Sequence, residues 1–400
     1  MNIFAQQGHA TADKIENALD KGFIKGAILS PRYIRPERMK DMLSRVQTRR
    51  GLALIDPEFY ATGYISNPAP NLGALEEWDY FQPARRKDLI SGTAIPGIIK
   101  KAVESQAGMG VDACIAPNLY IKHADSIDTA IALNILNQTK ARSSEITDKP
   151  VYGTIALHRD ALLANNNFRD ILDGLTGLDN PPDGYYITVG SNEMQSTGNF
   201  IRSDLDHPEV LAAWMYMNYA LSLNGAKVIN GYCFQQSPLL AICGAEACAS
   251  GWFSGLRKFC INKYIRQGTG GGNLPNARYL SNPLLSFIRQ TEYAAYRQIV
   301  PEIANGLSMD TIYETEDVSQ TNQSLQSWEA LHTLAGGIPN DLSNISKALE
   351  QFIKQINHAQ ALWSFIQSEG FTLEIEPNLE RLGAMIEAIQ LFKEWAEIAP

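Results

Sequence analysis

The sequence has few cysteines, an excess of negative charge and no long apolar run. Its five cysteines form no CxxC pair, so neither a zinc site built on paired cysteines nor a disulfide framework is expected. The net charge of −9 disfavours nucleic acid and anionic membranes as partners of the whole surface. No apolar run approaches the ~18 residues of a membrane-spanning helix. The first residues lack the basic start and apolar core of a signal peptide, so we expect a cytoplasmic protein.

Short apolar runs alternate with amphipathic helical patterns through roughly the first 265 residues. Each run ends in polar or turn-forming residues. The eight runs cover residues 2–5, 26–29, 51–55, 111–116, 151–157, 184–189, 227–232 and 245–249. Eight strand–helix units of this total length predict a parallel (β/α)₈ barrel whose last helix covers residues 253–264. The alternative is an open doubly wound sheet, which usually has fewer strands.

We divide the chain into a barrel, residues 1–267, and a helical C-terminal extension, residues 268–400, packed on the barrel. Residues 60–96 form a long loop inside the barrel, and loops of this length are usually functional or flexible. Helical patterns in the extension cover residues 283–303, 325–334, 342–367 and 379–396. The last two predict an antiparallel helical hairpin. Its apolar faces are expected to pack on each other and on the barrel; the alternative is that some of that surface binds a protein partner or a second copy of the chain.

Polar residues at the strand ends are the candidate site, because reactive groups of a (β/α)₈ barrel lie where strands give way to loops. Carboxylates in different surroundings can hold different protonation states, which suits acid–base chemistry. The candidate catalytic residues are Asp56, Glu58, His158, Asp160 and Glu193. The candidate substrate-binding residues are Arg32, Asn118, Tyr120, Gln235, Ser250 and Gly251.

Several of these residues also have a purely structural interpretation. Asp56 precedes a proline and suits a turn. His158 could be a core histidine bonded to the backbone, and Asp160 is more typical of a helix cap. Ser250 and Gly251 could offer backbone amides to a phosphate, or simply allow close packing.

No cofactor is predicted. Asp56, His158 and Glu193 would supply oxygen and nitrogen ligands to a metal if they converged, but no HxH or HExxH motif supports such a site. The basic cluster at residues 85–87 lies near aromatic residues of the long loop, which leaves contact with a phosphate-bearing ligand or nucleic acid open. The basic residues of the last barrel helix are expected on a solvated face, and they are Arg257, Lys258, Lys263 and Arg266.

The segment Ser237–Ala241, followed by Gly244–Glu246 and Ser250–Gly251, resembles TIM-barrel enzymes in general, and the resemblance covers roughly residues 1–265. Signatures of common barrel enzymes are missing. No lysine ends a strand as a Schiff-base lysine, with Lys122 a weak exception, and Asn118 and Gln235 stand near the places where many retaining glycosidases carry glutamates.

From these residues we expect an enzyme that uses carboxylate and histidine acid–base chemistry on a small, nucleotide- or sugar-like substrate. Hydrolysis or glycosyl-type transfer is the expected reaction, with Asp56 as nucleophile or base and His158 or Glu193 as proton donor. The alternative is a non-catalytic barrel that serves as a binding or scaffold subunit of a multi-protein assembly.

Overall fold

A parallel sheet of nine short strands surrounds the centre of the fold. The computed structural model describes residues 1–163, 168–191, 204–266, 277–314, 318–338, 341–372 and 375–398. The strands are β1 (Asn2–Gln6), β2 (Gly26–Leu29), β3 (Leu52–Ile55), β4 (Cys114–Ile115), β5 (Tyr120–Ile121), β6 (Val151–His158), β7 (Gly184–Gly190), β8 (Lys227–Gly231) and β9 (Ala247–Ser250).

The sheet closes into a barrel. Its strand order is β3-β2-β1-β9-β8-β7-β6-β4, and β5 pairs with the end of β6. The two ends of this path meet where the Asp112 amide, just before β4, donates to the Ala53 carbonyl of β3 at 3.0 Å. Every residue of β6 and β7 is buried, as expected of strands covered on both faces. The predicted (β/α)₈ barrel is confirmed, and β5 is a short strand that the sequence did not predict.

The barrel is surrounded by helices. They are α1 (Lys14–Asp20), α2 (Pro36–Gln47), α3 (Arg86–Ile90), α4 (Ile95–Met109), α5 (Ile127–Ser143), α6 (Phe168–Thr176), α7 (Pro208–Leu223) and α8 (Ser237–Ile242). Directly after β9, where a full barrel helix is expected, the chain forms the four-residue helix α9 (Ser254–Arg257).

The helix predicted over residues 253–264 is therefore wrong. After α9 the chain is extended at Lys258 and Cys260, with φ near −140°, and makes only a short 3₁₀ turn at Ile261–Tyr264. The outer position is filled from further along the chain. Helix α11 (Gln320–Gly336) packs against α1, α8 and β1, between the helices that follow β1 and β8. A C-terminal helix thus completes the ring.

The rest of the C-terminal region begins with a hairpin that corrects the helix predicted over residues 283–303. Strands β10 (Arg278–Ser281) and β11 (Ser286–Arg289) pair antiparallel, and Leu285 turns the chain with a φ of +49°. The helix α10 covers only Gln290–Ile299.

The predicted helical hairpin is present in the C-terminal region. It consists of α12 (Ile345–Ser368) and α13 (Ile375–Trp395), which pack on each other. Helix α12 also packs on α8, and α13 packs on α7, so the hairpin covers the barrel's outer layer. None of the helices in the described residues is long and apolar enough to cross a membrane.

Replacing Trp328 with alanine tests whether α11 completes the barrel. The Trp328 side chain is 2% exposed, and its indole donates to the Ser250 carbonyl at the end of β9 at 3.1 Å. Truncating a buried tryptophan typically costs ~3–5 kcal/mol. We expect Trp328→Ala to lower the midpoint of denaturant unfolding sharply. The matched control Phe365→Ala, on α12 and 48% exposed, should leave the midpoint nearly unchanged. Equal midpoints for the two variants would contradict the role given to α11.

Candidate active site

The inner face of the barrel changes from apolar to polar at the carboxyl ends of the strands. Alternate strand residues point inward, and deeper in the barrel these form an apolar cluster that includes Phe4, Ile28 and Leu54. Gln6, Ser30 and Asp56 each follow one of these apolar residues by two positions. They lie at the end of the strand or in the loop after it, and all three are fully buried. The alternation therefore places polar side chains in the mouth of the barrel.

Asp56 accepts three hydrogen bonds in this mouth. Its Oδ1 accepts from the Glu58 amide at 2.9 Å, and its Oδ2 accepts from the hydroxyls of Tyr60 at 2.7 Å and Tyr186 at 3.1 Å. Burial and the neighbouring Glu58 carboxylate raise the pKa of Asp56 to about 6, although the Tyr60 hydrogen bond and Lys263 oppose the rise. A carboxyl with this pKa can exchange a proton near neutral pH.

Glu58 is paired with a buried lysine. Its Oε1 accepts from the Ser30 hydroxyl at 2.9 Å and lies 3.7 Å from Lys263 Nζ. Lys263 Nζ also donates to the Tyr232 hydroxyl at 2.9 Å. Burial lowers the pKa of Lys263 to about 8, an effect that Arg32 increases and that Glu58 and Asp56 oppose. The mouth thus holds two carboxylates and one amine, each with little or no exposure to solvent.

The lysine reaches the mouth from a covering segment, residues 258–266, that crosses over the strand ends. Phe259 accepts a backbone hydrogen bond from Ser191, just beyond β7. On the other side, Tyr264 accepts from the Asn71 amide. Arg32 Nη2 and Asn71 Nδ2 both donate to the Lys263 carbonyl, at 2.8 and 3.0 Å. These bonds hold the segment in place and aim the Lys263 side chain down into the barrel.

Several buried polar atoms around this group have no hydrogen-bond partner among the described residues. They are Gln6 Nε2, Glu58 Oε2, Thr188 Oγ1 and Tyr264 Oη. An unsatisfied buried polar group costs ~1–3 kcal/mol, so such groups usually mark a place where a ligand or water completes the bonding. The mouth therefore has unused hydrogen-bonding capacity beside its titratable groups.

The backbone is strained at two residues of the mouth. Glu58 and Tyr232 have φ values of +49° and +55°, which side-chain-bearing residues rarely adopt. Strain of this kind concentrates at functional sites. Gly231, beside Tyr232, leaves room for Tyr186, because a Cβ there would lie 2.4 Å from the Tyr186 hydroxyl oxygen. These local features support the placement of Glu58 and two tyrosine hydroxyls.

The structure places the predicted catalytic residues in two groups. Asp56 and Glu58 are together in the mouth. His158 lies at the end of β6, where its ring stands edge-on to Tyr120 at 6.2 Å and its Nδ1 accepts from the Asp160 amide at 3.2 Å. His158 thus caps the turn at Arg159–Leu162, and Asp160 Oδ2 lies 3.3 Å from the same His158 nitrogen. Tyr120 and Phe259 separate His158 from Asp56. Glu193 lies outside the described residues.

Two predicted binding residues have structural roles instead. Arg32 spends its three nitrogens on Asn71, Tyr33 and Lys263, and so anchors the covering segment. Asn118 is saturated by backbone groups, with its Nδ2 donating to the Thr154 carbonyl at 2.7 Å.

Gln235 lies away from the mouth. It lines a small apolar cavity with residues of the C-terminal region such as Leu280 and Met385. Its predicted role in positioning substrate at the strand ends is not supported by this location.

Ser250 and Gly251, predicted to offer backbone amides to a phosphate, lie at the end of β9. Ser250 alternates with the inward-facing Ala249, so its side chain points away from the barrel axis. The Gly251 amide already donates to the Leu256 carbonyl at 3.1 Å, and a Cβ on Gly251 would lie 2.5 Å from Leu256 Cβ. Close packing against Leu256 explains the glycine at position 251.

The sequence interpretation missed Lys263 and the tyrosines of the mouth. Lys263 was expected on a solvated helix face, but it is 7% exposed. Its flanking residues carried a signal, because Phe259–Ile261 and Tyr264–Ile265 are apolar on both sides of it, which is unusual for a solvated face. Tyr186 and Tyr232 lie within or directly after apolar strands, where a tyrosine is indistinguishable from core.

Metal ligands do not cluster in the described residues. No three side chains of histidine, cysteine, aspartate or glutamate converge there as a metal site would require. The set proposed from the sequence includes Glu193, which lies outside these residues.

Comparison with known proteins adds little. No protein-family model and no curated protein matches the chain. Thirteen solved chains match, among them dihydrodipicolinate synthase from Oceanobacillus iheyensis, with 13% identity and a TM-score of 0.31 over 99% of this chain and 96% of that one. This likeness is too weak to assign a reaction.

Replacing Tyr60 with phenylalanine should raise the pKa of Asp56 above its value of about 6, because the Tyr60 hydroxyl stabilises the ionised carboxylate. The pKa can be followed by NMR titration of ¹³C-labelled aspartate carboxyls. Tyr80→Phe is the matched control, since the Tyr80 hydroxyl donates to the Pro57 carbonyl and not to Asp56. A pKa that is unchanged or lowered in Tyr60→Phe would show that this hydrogen bond does not control Asp56.

Proposed function

We propose that this chain is an enzyme whose reaction centre is formed by Asp56, Glu58 and Lys263. The observation that carries the proposal is the burial of all three titratable groups in one barrel mouth, next to polar atoms that have no partner among the described residues. Perturbed titratable groups in such a place are typical of acid–base catalysis.

The pKa values of Asp56 and Lys263 suit the roles of proton acceptor and proton donor. Asp56, with a pKa of about 6, is largely ionised at pH 7 and can accept a proton. Lys263, with a pKa of about 8, is largely protonated at the same pH and can donate one. Glu58 faces the Lys263 ammonium and favours its charged form. We therefore assign Asp56 as general base and Lys263 as general acid, in place of the donors expected from the sequence.

Hydrolysis or glycosyl-type transfer is the specific reaction we propose for this pair. A water molecule or an acceptor hydroxyl attacks the reacting carbon. As the oxygen of this nucleophile bonds to the carbon, Asp56 takes its proton. The carbon–oxygen bond to the leaving group breaks, and that oxygen receives a proton from Lys263. The base and the acid act on opposite ends of the displaced bond, as this reaction class requires.

The arrangement also explains why the centre is covered. Removing water strengthens the electrostatic interactions of Asp56 and Lys263 with a bound substrate. The covering segment and Tyr60 enclose the two groups, so the substrate must displace part of this cover as it binds. Motions of this kind are common in enzymes that close over their substrates.

The pH dependence of kcat/KM tests the proposal. We expect a bell-shaped profile that rises through about pH 6 as Asp56 loses its proton and falls above about pH 8 as Lys263 loses its own. A panel of chromogenic glycosides and esters supplies the first substrates. Asp56→Asn and Lys263→Met should each lower kcat/KM by at least ~10²-fold, the scale of a lost acid or base.

Lys258→Met is the matched control, because it removes a lysine from the same covering segment outside the mouth. It should retain the activity and both limbs of the profile. Turnover that survives in Asp56→Asn would refute the assignment of the base. A folded wild-type protein with no turnover across the panel would favour the alternative, a non-catalytic barrel that binds partners.

A further inference from the structure

A cleft of about 390 Å³ opens beside the barrel mouth and shares one wall with it. Its lining includes Tyr60, Thr62, Tyr64, Leu119 and Tyr120. Tyr60 lines the cleft, and its hydroxyl donates to Asp56 at 2.7 Å. The cleft is thus separated from the proposed general base by a single side chain.

We infer that this cleft binds the substrate, and that the substrate part it holds is an uncharged, hydroxyl-bearing ring, such as the sugar of a glycoside or nucleoside. This inference rests on the proposed function, because it identifies the substrate of the same reaction centre. The volume lies within the usual range of small-molecule sites, ~300–1,000 Å³, and suits one such ring with its substituent.

The charge of the cleft argues against a phosphorylated ligand. Among the described residues, the charged side chains that line the cleft are Arg86 and Asp128, which form an ion pair with each other. The Asp128 carboxylate therefore offsets the charge of Arg86, and no second cation lines the cleft among the described residues. Charge-neutral walls with polar groups favour an uncharged ligand with hydroxyl groups that can reach the Arg86–Asp128 pair.

The aromatic side chains supply the other half of the recognition. Tyr64 and Tyr120 are partly buried and line the cleft, where an aromatic ring can pack against the apolar face of a sugar or a base. The Tyr120 hydroxyl has no hydrogen-bond partner among the described residues. It lies over Gly190, where a Cβ would be 2.1 Å from it, so its position is fixed by the absence of a side chain there.

The cleft and the reaction centre meet at Tyr60. A ligand ring in the cleft lies against Tyr60, on the side opposite to Asp56. When the Tyr60 side chain is displaced, the cleft becomes continuous with the barrel mouth. Tyr60 is therefore a positioning residue for both the substrate and the base.

Binding to the Asp56→Asn variant tests the inference without turnover. The probes are methyl glycosides and nucleosides, each compared with its phosphorylated counterpart, and affinity is measured by isothermal titration calorimetry. We expect at least one uncharged probe to bind more tightly than its phosphorylated counterpart. Tyr64→Ala, added to Asp56→Asn, should weaken that binding at least tenfold. Tyr64→Phe, which keeps the ring, should stay within twofold.

Arg38→Met is the charge control, since Arg38 is exposed on α2 and lines a different cleft. It should leave binding unchanged, whereas Arg86→Met should weaken it. Any of three results would overturn the inference. They are tighter binding of the phosphorylated probes, affinity in Tyr64→Ala equal to that of the Asp56→Asn parent, and no binding of any probe. Binding in the cleft with no turnover by the wild type would instead overturn the proposed reaction while the cleft assignment stands. If the wild type turns over a substrate and Tyr64→Ala leaves that turnover unchanged, the cleft assignment is overturned while the proposed reaction stands.

Discussion

The ion pair between Lys263 and Glu58 is the interaction on which the arrangement of the barrel mouth depends. Both groups are removed from water, and a buried charge is tolerated only when it is paired and hydrogen-bonded. The pair joins the loop after β3 to the covering segment. It therefore helps to fix the position of the covering segment over the strand ends. Asp56 sits beside the Glu58 carboxylate, and burial and this neighbour together raise its pKa, whereas Lys263 opposes the rise.

This arrangement is costly for the fold. Glu58 and Tyr232 have strained backbone conformations, and several polar atoms nearby lack partners among the described residues. A barrel selected for stability alone would fill its mouth with apolar side chains, as the deeper layer around Phe4 and Leu54 does. The contrast between the two layers is the physical reason to place function at this end of the barrel.

Much of the fold and half of the site follow from local patterns in the sequence. The run 51–55 ends in Asp56, and the alternation of a buried strand places Asp56 and Glu58 at the mouth. Lys263 could not be placed in the same way, because the helix expected over residues 253–264 assigned it to the wrong element. The outer position after β9 is filled by α11, which lies about sixty residues further along the chain. No local sequence pattern indicates which distant helix will fill that position around the barrel. The tyrosines Tyr186 and Tyr232 were missed because they lie within or directly after apolar strands, where a tyrosine is indistinguishable from core.

The pKa of Lys263 is the most direct measure of the buried ion pair. Biosynthetic labelling with ε-¹³C-lysine reports every lysine side chain without chemical modification, and Lys263→Met identifies the resonance that belongs to Lys263. Our account predicts a pKa of about 8 in the wild type and a lower value in Glu58→Gln, because the carboxylate favours the charged amine. A pKa near that of an exposed lysine, unchanged in Glu58→Gln, would mean that Lys263 is solvated and that the mouth is not built as described.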